Sequence, residues 1–269
     1  MNKLAISILL FSMTTACQVK TAKVYDNENP IPVPSSSASP APEFYTNVKL
    51  LPGCNGSVIA CPDGATCNSP ACTEEVAAVK IAEPKVIAES SYEAIKTKFS
   101  LFNVNPSTNN LGALTPSYPI AEGLKAQCNE NEGLIFNGGK LASCTSLIVE
   151  KSPNNFEQIT NLQALKSTFA PIDSEAEVIS YLTAATNTEA KFTFDLQENF
   201  RYYQLKLTPT AVTKHGADYM VNMFAYQRFG CGPHPNFEVV YHVTKSGDIE
   251  EVSRTKIYED PARDGLCVD

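Results

Sequence analysis

The carboxyl-terminal half of the chain has the clearest pattern of apolar and polar positions. Apolar residues from Phe156 to Phe169 recur at helical spacing, and Pro171 ends that pattern. Ser174 and Glu177 form a capping-box motif that predicts the start of a second helix. The period then changes to two, in runs at 192–196, 203–207, 219–223, 237–243 and 249–258. Residues 151–269 are therefore predicted to form an α+β domain in which helices precede an antiparallel β-meander.

The order of helices and strands in residues 151–269 is similar to the layout of cystatin and NTF2-type domains. The similarity is one of topology without a shared motif, and such folds host binders, inhibitors and enzymes alike.

Residues 84–150 give a mixed prediction of one helix and one hairpin. Ser90 and Glu93 match a second capping box, followed by apolar residues at helical spacing up to Phe102. Two β-prone runs flank the turn sequence Asn137-Gly138-Gly139, which favours a hairpin because Asn and Gly tolerate positive φ. Upstream, residues 46–83 contain four cysteines and many turn residues, which predicts a small disulfide-rich module with little core of its own.

The first sixteen residues have the pattern of an export signal. Lys3 precedes an apolar run from Leu4 to Phe11, which is far shorter than the roughly 20 residues of a membrane-spanning helix. The sequence Thr14-Thr15-Ala16-Cys17 resembles the lipobox of bacterial lipoprotein signal peptides, although that family prefers Leu where this chain has Thr14. The resemblance implies cleavage before Cys17, lipid on Cys17 and a place at the outer membrane, since Gln18 rather than Asp follows. The alternative is an ordinary secretory signal with Cys17 as an unpaired cysteine.

Residues 17–45 are predicted to be a disordered tether between the lipid and the folded part. Five prolines and the run Ser35-Ser36-Ser37 dominate this segment, and it has few apolar side chains. Such a composition cannot bury enough surface to offset the entropy lost on ordering.

Eight cysteines remain once Cys17 is set aside, and an even number in an exported protein predicts four disulfides. Local pairing would join Cys128 to Cys144 and Cys231 to Cys267, and would leave three possible pairings in the amino-terminal module. A zinc site is the alternative for that module, but zinc knuckles need ligand pairs two to four residues apart, and only its last pair has that spacing. We therefore expect bridges and no metal in the module, whose cysteines are Cys54, Cys61, Cys67 and Cys72.

Charge excludes one class of partner. Without Lys3 the exported chain has 20 basic and 29 acidic residues. An acidic surface repels phosphate backbones, so we expect no binding to nucleic acid. The partners that we expect are a membrane, through the lipid, and a protein or glycan of the cell envelope.

The sequence has few candidates for catalysis. It lacks the nucleophile-elbow, zinc-protease, phosphate-loop and dinucleotide motifs, so we expect no cofactor and assign no catalytic residue. The exception worth testing is His234, which lies in the rigid loop Cys231-Gly-Pro-His234-Pro, while Asp264 lies three residues before Cys267. A bridge between Cys231 and Cys267 would bring His234 near Asp264. Such a pair could serve as a base, a metal site or a recognition corner, but Asp, Gly and Pro more often only build turns.

Three functional hypotheses follow. The first is a non-catalytic binding or structural lipoprotein, displayed on a flexible stalk in the bacterial envelope. The second is an envelope hydrolase with a site around His234 and Asp264. The third is a protease inhibitor similar to cystatins, although the chain lacks the glutamine-valine-glycine hairpin motif of that family.

Overall fold

The computed structural model describes residues 72–73, 78–107, 109–138, 141–197, 199–204 and 206–268. The predicted export signal, the lipid site at Cys17, the tether and three cysteines of the amino-terminal module, Cys54, Cys61 and Cys67, lie outside the described residues. Of Cys72 the structure describes only the backbone.

The described part combines helices with antiparallel sheets, which confirms the α+β class. The helices are α1 (Tyr92–Phe99), α2 (Leu162–Phe169) and α3 (Glu175–Ala185). The strands are β1 (Cys72–Thr73), β2 (Asn103–Pro106), β3 (Ile120–Ala126), β4 (Ile135–Asn137), β5 (Ser143–Ser152), β6 (Asn155–Ile159), β7 (Arg201–Tyr202), β8 (Lys206–Leu207), β9 (Val212–His215), β10 (Asp218–Tyr226), β11 (Gly230–Cys231), β12 (Asn236–Val243), β13 (Ile249–Glu259) and β14 (Cys267–Val268).

Sheet A is built around β5. The order β2-β3-β5-β4 is antiparallel, and β6 pairs with the other half of β5, on the same edge as β4. Because successive side chains of a strand point to opposite faces, Leu147 and Val149 enter one core while Ile148 enters another. The second core lies against α1 and contains Ile95, which is fully buried. Sheet A is thus covered on both faces.

Sheet B has the strand order β9-β10-β12-β13-β7, and three of the five runs predicted for the meander, 219–223, 237–243 and 249–258, form its central strands. The odd-numbered residues of β10 and β12 enter the main core, as their alternating pattern predicts. The turn between β12 and β13 needs its glycine: Gly247 has φ +85°, and a Cβ there would lie 2.8 Å from the Tyr181 hydroxyl oxygen. That hydroxyl donates to the Gly247 carbonyl oxygen at 3.0 Å, which joins α3 to the turn.

Helix α3 lies in the main core and is apolar on nearly every side, with Val178, Ile179, Tyr181 and Leu182 all buried. Its start follows the predicted motif, because the Ser174 hydroxyl accepts from the Glu177 backbone N–H. The main core draws residues from both sheets as well as from α2 and α3. Residues 84–150 and 151–269 therefore share one core.

Three elements differ from the sequence prediction. The helix predicted to begin near Phe156 begins at Leu162, where the Asn161 side chain caps it, and Phe156 and Ile159 belong to β6. Helix α1 has Ser91 as its N-cap without a side-chain bond, so Ser90 does not cap it. The run Phe192, Phe194 and Leu196 forms no strand. Phe192 packs against the main core, and the other two pack against a third cluster around Tyr202. Their alternation therefore reflects burial rather than strand pairing.

Two predicted disulfides are present. Cys128 is bonded to Cys144 with a Cα–Cα distance of 6.0 Å, and Cys231 to Cys267 with 4.0 Å. The second bridge joins β11 to β14, which pair as a two-stranded antiparallel ribbon. The hairpin of β4 and β5 also forms as expected, with Asn137 opposite Ser143.

Candidate functional site

A groove of about 700 Å³ lies where the ends of the two sheets meet the last turn of α3. Its volume is in the range of small-ligand sites, which is about 300–1,000 Å³. Sheet A contributes residues of β3, β4 and β5, and sheet B contributes the ends of β10, β12 and β13. The polar and charged side chains of the lining are those of Asn110, Glu122, Asn137, Thr145, Ser146, Thr183, Thr186, Asn187, Thr188, Glu189, Lys191, Asp195, Tyr226, Arg228, His234, Asn236, Tyr258, Asp260 and Arg263.

The groove forms because the apolar filling stops at the end of α3. Ala184 is the last buried apolar residue of the helix. Thr186 follows as the C-cap, and its hydroxyl donates to the Leu182 carbonyl oxygen at 2.7 Å. The chain then crosses to sheet B, where Glu189 and Phe224 exchange backbone hydrogen bonds. The residues between these two points are mainly Thr and Asn, so the space beside them is polar.

Several polar side chains in the groove have no hydrogen-bond partner among the described residues. They are the amides of Asn110, Asn137, Asn187 and Asn236 and the hydroxyl of Thr145. Each amide can both donate and accept hydrogen bonds. Polar side chains in a folded protein are usually paired with protein or water, so these five groups are available to a ligand.

The charges of the groove nearly cancel, with four carboxylates and three cations in the lining. Lys191 pairs with Glu189 at 3.0 Å. Arg263 donates to the Tyr226 hydroxyl oxygen at 2.8 Å, which raises the pKa of its guanidinium, and its Nε lies 3.5 Å from Asp260. Arg228 is exposed and has neither an ion pair nor a hydrogen bond with any residue that the structure describes.

His234 lies in the wall of the groove but is a buried structural group, with 2 % of its surface exposed. Nδ1 lies 2.9 Å from the Gln227 carbonyl oxygen, and Nε2 lies 3.4 Å from the Leu266 carbonyl oxygen. A neutral imidazole has one N–H, so it donates to one of these carbonyl oxygens and only contacts the other. With 2 % of the residue exposed, neither ring nitrogen is open to a substrate. The imidazole instead joins the loop before β12 to the tail before β14.

Asp264 has other partners. Its carboxylate binds Arg201, which also donates to the Glu259 carboxylate at 3.0 Å. Both carboxylates raise the pKa of the Arg201 guanidinium, Asp264 more strongly. Burial first, and then the nearby Glu259 carboxylate, raise the pKa of Tyr203 to about 12. His234 contacts the tail that carries Asp264, but the two side chains share no hydrogen bond. The two residues therefore do not form a hydrogen-bonded pair.

The other two histidines lie away from the groove. His242 Nε2 is 3.3 Å from an Asp218 oxygen, on the face of sheet B opposite the main core. His215 is exposed at the end of β9. Among the described residues, no three His, Cys, Asp or Glu side chains come together in a way that could hold a metal ion.

Comparison with known proteins gives no relative: no family model, no curated protein and no solved structure matches the chain. None of the helices in the described part is long and apolar enough to cross a membrane.

Sequence reasoning did not find the groove. Its amides and Arg228 come from separate segments spread between residues 110 and 236, and nothing in their local sequence shows that they meet. One local signal existed: Asn137, Asn187 and Asn236 all lie at the end of a strand or just after a helix, where binding residues are often found.

Proposed function

We propose that this protein is a non-catalytic binding module of the bacterial cell envelope, held by lipid on Cys17 and a proline-rich tether, with the groove as its ligand site. The observation that carries the proposal is the convergence of five unpartnered polar side chains on one groove. The lipobox-like sequence and the disulfides support an exported protein. The layout similar to cystatin and NTF2-type domains stays an analogy for α2, α3 and sheet B, and it adds no function.

The two rival hypotheses receive no support from the site. A hydrolase around His234 and Asp264 would need a base facing an open space, whereas both groups are engaged with other parts of the chain. No observation favours a hairpin that enters a protease cleft.

Two measurements test the proposal. For the anchor, Cys17→Ser should move the protein from the membrane fraction to the soluble fraction, because acylation needs the thiol. Incorporation of labelled palmitate into the Cys17→Ser protein would contradict the lipid site.

For the groove, a photo-crosslinking amino acid is placed at Asn187, which is exposed in the lining, and at Asn131, which is exposed in a turn outside it. Irradiation of cells should give a defined adduct from position 187 and none from position 131. Equal labelling from both positions, or none from either, would overturn the groove as the ligand site.

A further inference from the structure

We propose that the groove binds an oligosaccharide of N-acetylated sugars and that Arg228 recognises a carboxylate carried by some of those sugars. This proposal rests on the proposed function and names the ligand of the same groove. The juxtaposition that carries it is a single lining with four amides and one guanidinium that have no partner among the described residues, beside two half-exposed aliphatic side chains.

The amides fit a ligand that both donates and accepts. A sugar hydroxyl does both, and an acetamido group offers one N–H and one C=O, which a side-chain amide can match in a plane. The side chains in question are those of Asn110, Asn137, Asn187 and Asn236. An apolar ligand would leave them unpaired and desolvated, which is costly.

The apolar part of the lining fits methyl groups better than large side chains. Leu111, Leu147 and Ala184 are almost fully buried beneath the groove. Leu134, Ile135 and the Phe200 ring are half-exposed there. A peptide of typical composition would need deeper apolar pockets to anchor its side chains, whereas an acetamido methyl needs only a small apolar contact.

The charges argue against a polyanion and in favour of a single negative group. Four carboxylates face three cations in the lining, so the groove has no net positive charge to attract a phosphate-rich polymer. Arg263 is engaged with Tyr226 and Asp260. Arg228 is the lining cation without a partner in the described part, and a guanidinium binds a carboxylate through two parallel hydrogen bonds.

The experiment titrates the soluble Cys17→Ser chain with a tetramer of N-acetylglucosamine, a glucose tetramer and a tetra-alanine peptide, with binding measured by calorimetry. We expect binding of the N-acetylated tetramer and at least about tenfold weaker binding of the glucose tetramer, which lacks the acetamido groups. Asn187→Ala and Asn236→Ala should each weaken binding about tenfold, and the exposed control Asn131→Ala should not. Circular dichroism checks the fold, and if Asn236→Ala does not fold, Asn187→Ala decides.

The carboxylate is tested with a matched pair of N-acetylated disaccharides, one of which carries a lactyl ether carboxylate. The carboxylated form should bind about tenfold more tightly to the Cys17→Ser chain, and Arg228→Gln should bring the ratio of the two affinities close to one. A preference that survives Arg228→Gln would overturn the role of Arg228.

The outcomes separate this proposal from the proposed function. If the peptide binds, the sugars do not and Asn187→Ala abolishes peptide binding, the groove is a binding site and the glycan proposal is wrong. If the N-acetylated tetramer binds equally well to the Asn187→Ala and Asn236→Ala chains, the site lies elsewhere. If no probe binds while the crosslink from position 187 persists in cells, the glycan class is wrong and the binding function stands.

Discussion

Two titratable side chains near the groove, His234, which is buried, and Glu238, which is half-buried, make hydrogen bonds within the fold. His234 joins two loops through backbone carbonyl oxygens, and Glu238 lies on the outer face of sheet B, where the Asn222 side chain donates to it at 3.3 Å. His234 lines the groove, and Glu238 lies two residues after Asn236, which also lines it. Their roles in stability can be measured separately from ligand binding.

We expect His234→Leu to lower the free energy of unfolding by about 1–3 kcal/mol, because a buried side chain loses its hydrogen bond to a backbone carbonyl oxygen. The control is Asn131→Leu at an exposed turn position, which should change stability by less than about 0.5 kcal/mol. Urea denaturation measures both. Unchanged stability of His234→Leu would remove the structural role and return His234 to the candidates for chemistry.

The Glu238 carboxyl predicts a pH dependence. Burial raises its pKa above the ordinary value of 4.5, against a smaller opposite effect of the Asn222 hydrogen bond. The folded state then holds the proton more tightly than the unfolded state, so stability falls as pH rises from about 4.5 through the folded pKa. Glu238→Gln should make that fall shallower and should leave the variant more stable than the wild type above this range. The difference between the two unfolding curves, from pH 4 to pH 8, is the measurement.

Exposed Glu130→Gln, in a turn, is the control for the pH series and should leave the slope as it is. A wild-type curve that rises with pH where the Glu238→Gln curve is flat would show that the carboxyl stabilises the fold in its charged form, opposite to the expectation.

At the scale of elements, the sequence pattern predicted an element correctly where the apolar residues of that element face a single core. Strands β10 and β12 alternate because one face of sheet B enters the main core. Helix α3 was predicted from its capping motif at Ser174. The prediction failed for Phe156 and Ile159, whose three-residue spacing imitated a helix although the two side chains of β6 enter different cores. Five strands of sheet A were not expected as one sheet because both of its faces are buried, which weakens the alternation.

The tail after β13 depends on several contacts that converge on one ribbon. Arg201 binds Asp264, Arg263 donates to Tyr226, and the Cys231–Cys267 bridge joins β11 to β14. Both Cys231 and Cys267 are exposed, so burial adds little to this ribbon. The tail supplies Asp260 and Arg263 to the groove, which makes its order relevant to binding.

We expect Cys231→Ser together with Cys267→Ser to lower stability by up to about 4 kcal/mol, since the bridge spans 36 residues and constrains the unfolded chain. Trypsin should then cut after the exposed Arg263, while Lys166 in α2 stays uncut as a control for global unfolding. Limited proteolysis with mass mapping under non-reducing conditions is the measurement. Resistance of Arg263 in the double variant would show that the ion pairs alone hold the tail.

At the scale of the whole molecule, the two sheets and α3 act as one unit. The groove is lined by the ends of sheet A, the ends of sheet B and the last turn of α3, so its two walls come from residues far apart in the chain. Neither wall could be predicted from local sequence, because a local pattern indicates that a strand forms but not which distant residues lie beside it. A long-range fold of this kind predicts that neither half keeps its structure alone.

We therefore expect residues 151–269, the segment that sequence patterns favour as a separate domain, to show no cooperative thermal transition. The cut falls in β5, which removes the partner of β6. It also removes five buried apolar residues from the main core, Leu111, Leu114, Ile120, Leu147 and Val149. Each contributes about 1.5–3 kcal/mol when fully buried, so their sum is comparable with the 5–15 kcal/mol that stabilises a whole domain.

Residues 44–269, which form one compact unit, are the control and should melt in a single transition. A sharp melting curve for residues 151–269, measured by circular dichroism and calorimetry, would mean that sheet B and its helices hold a core of their own and that the groove lies between two independent domains.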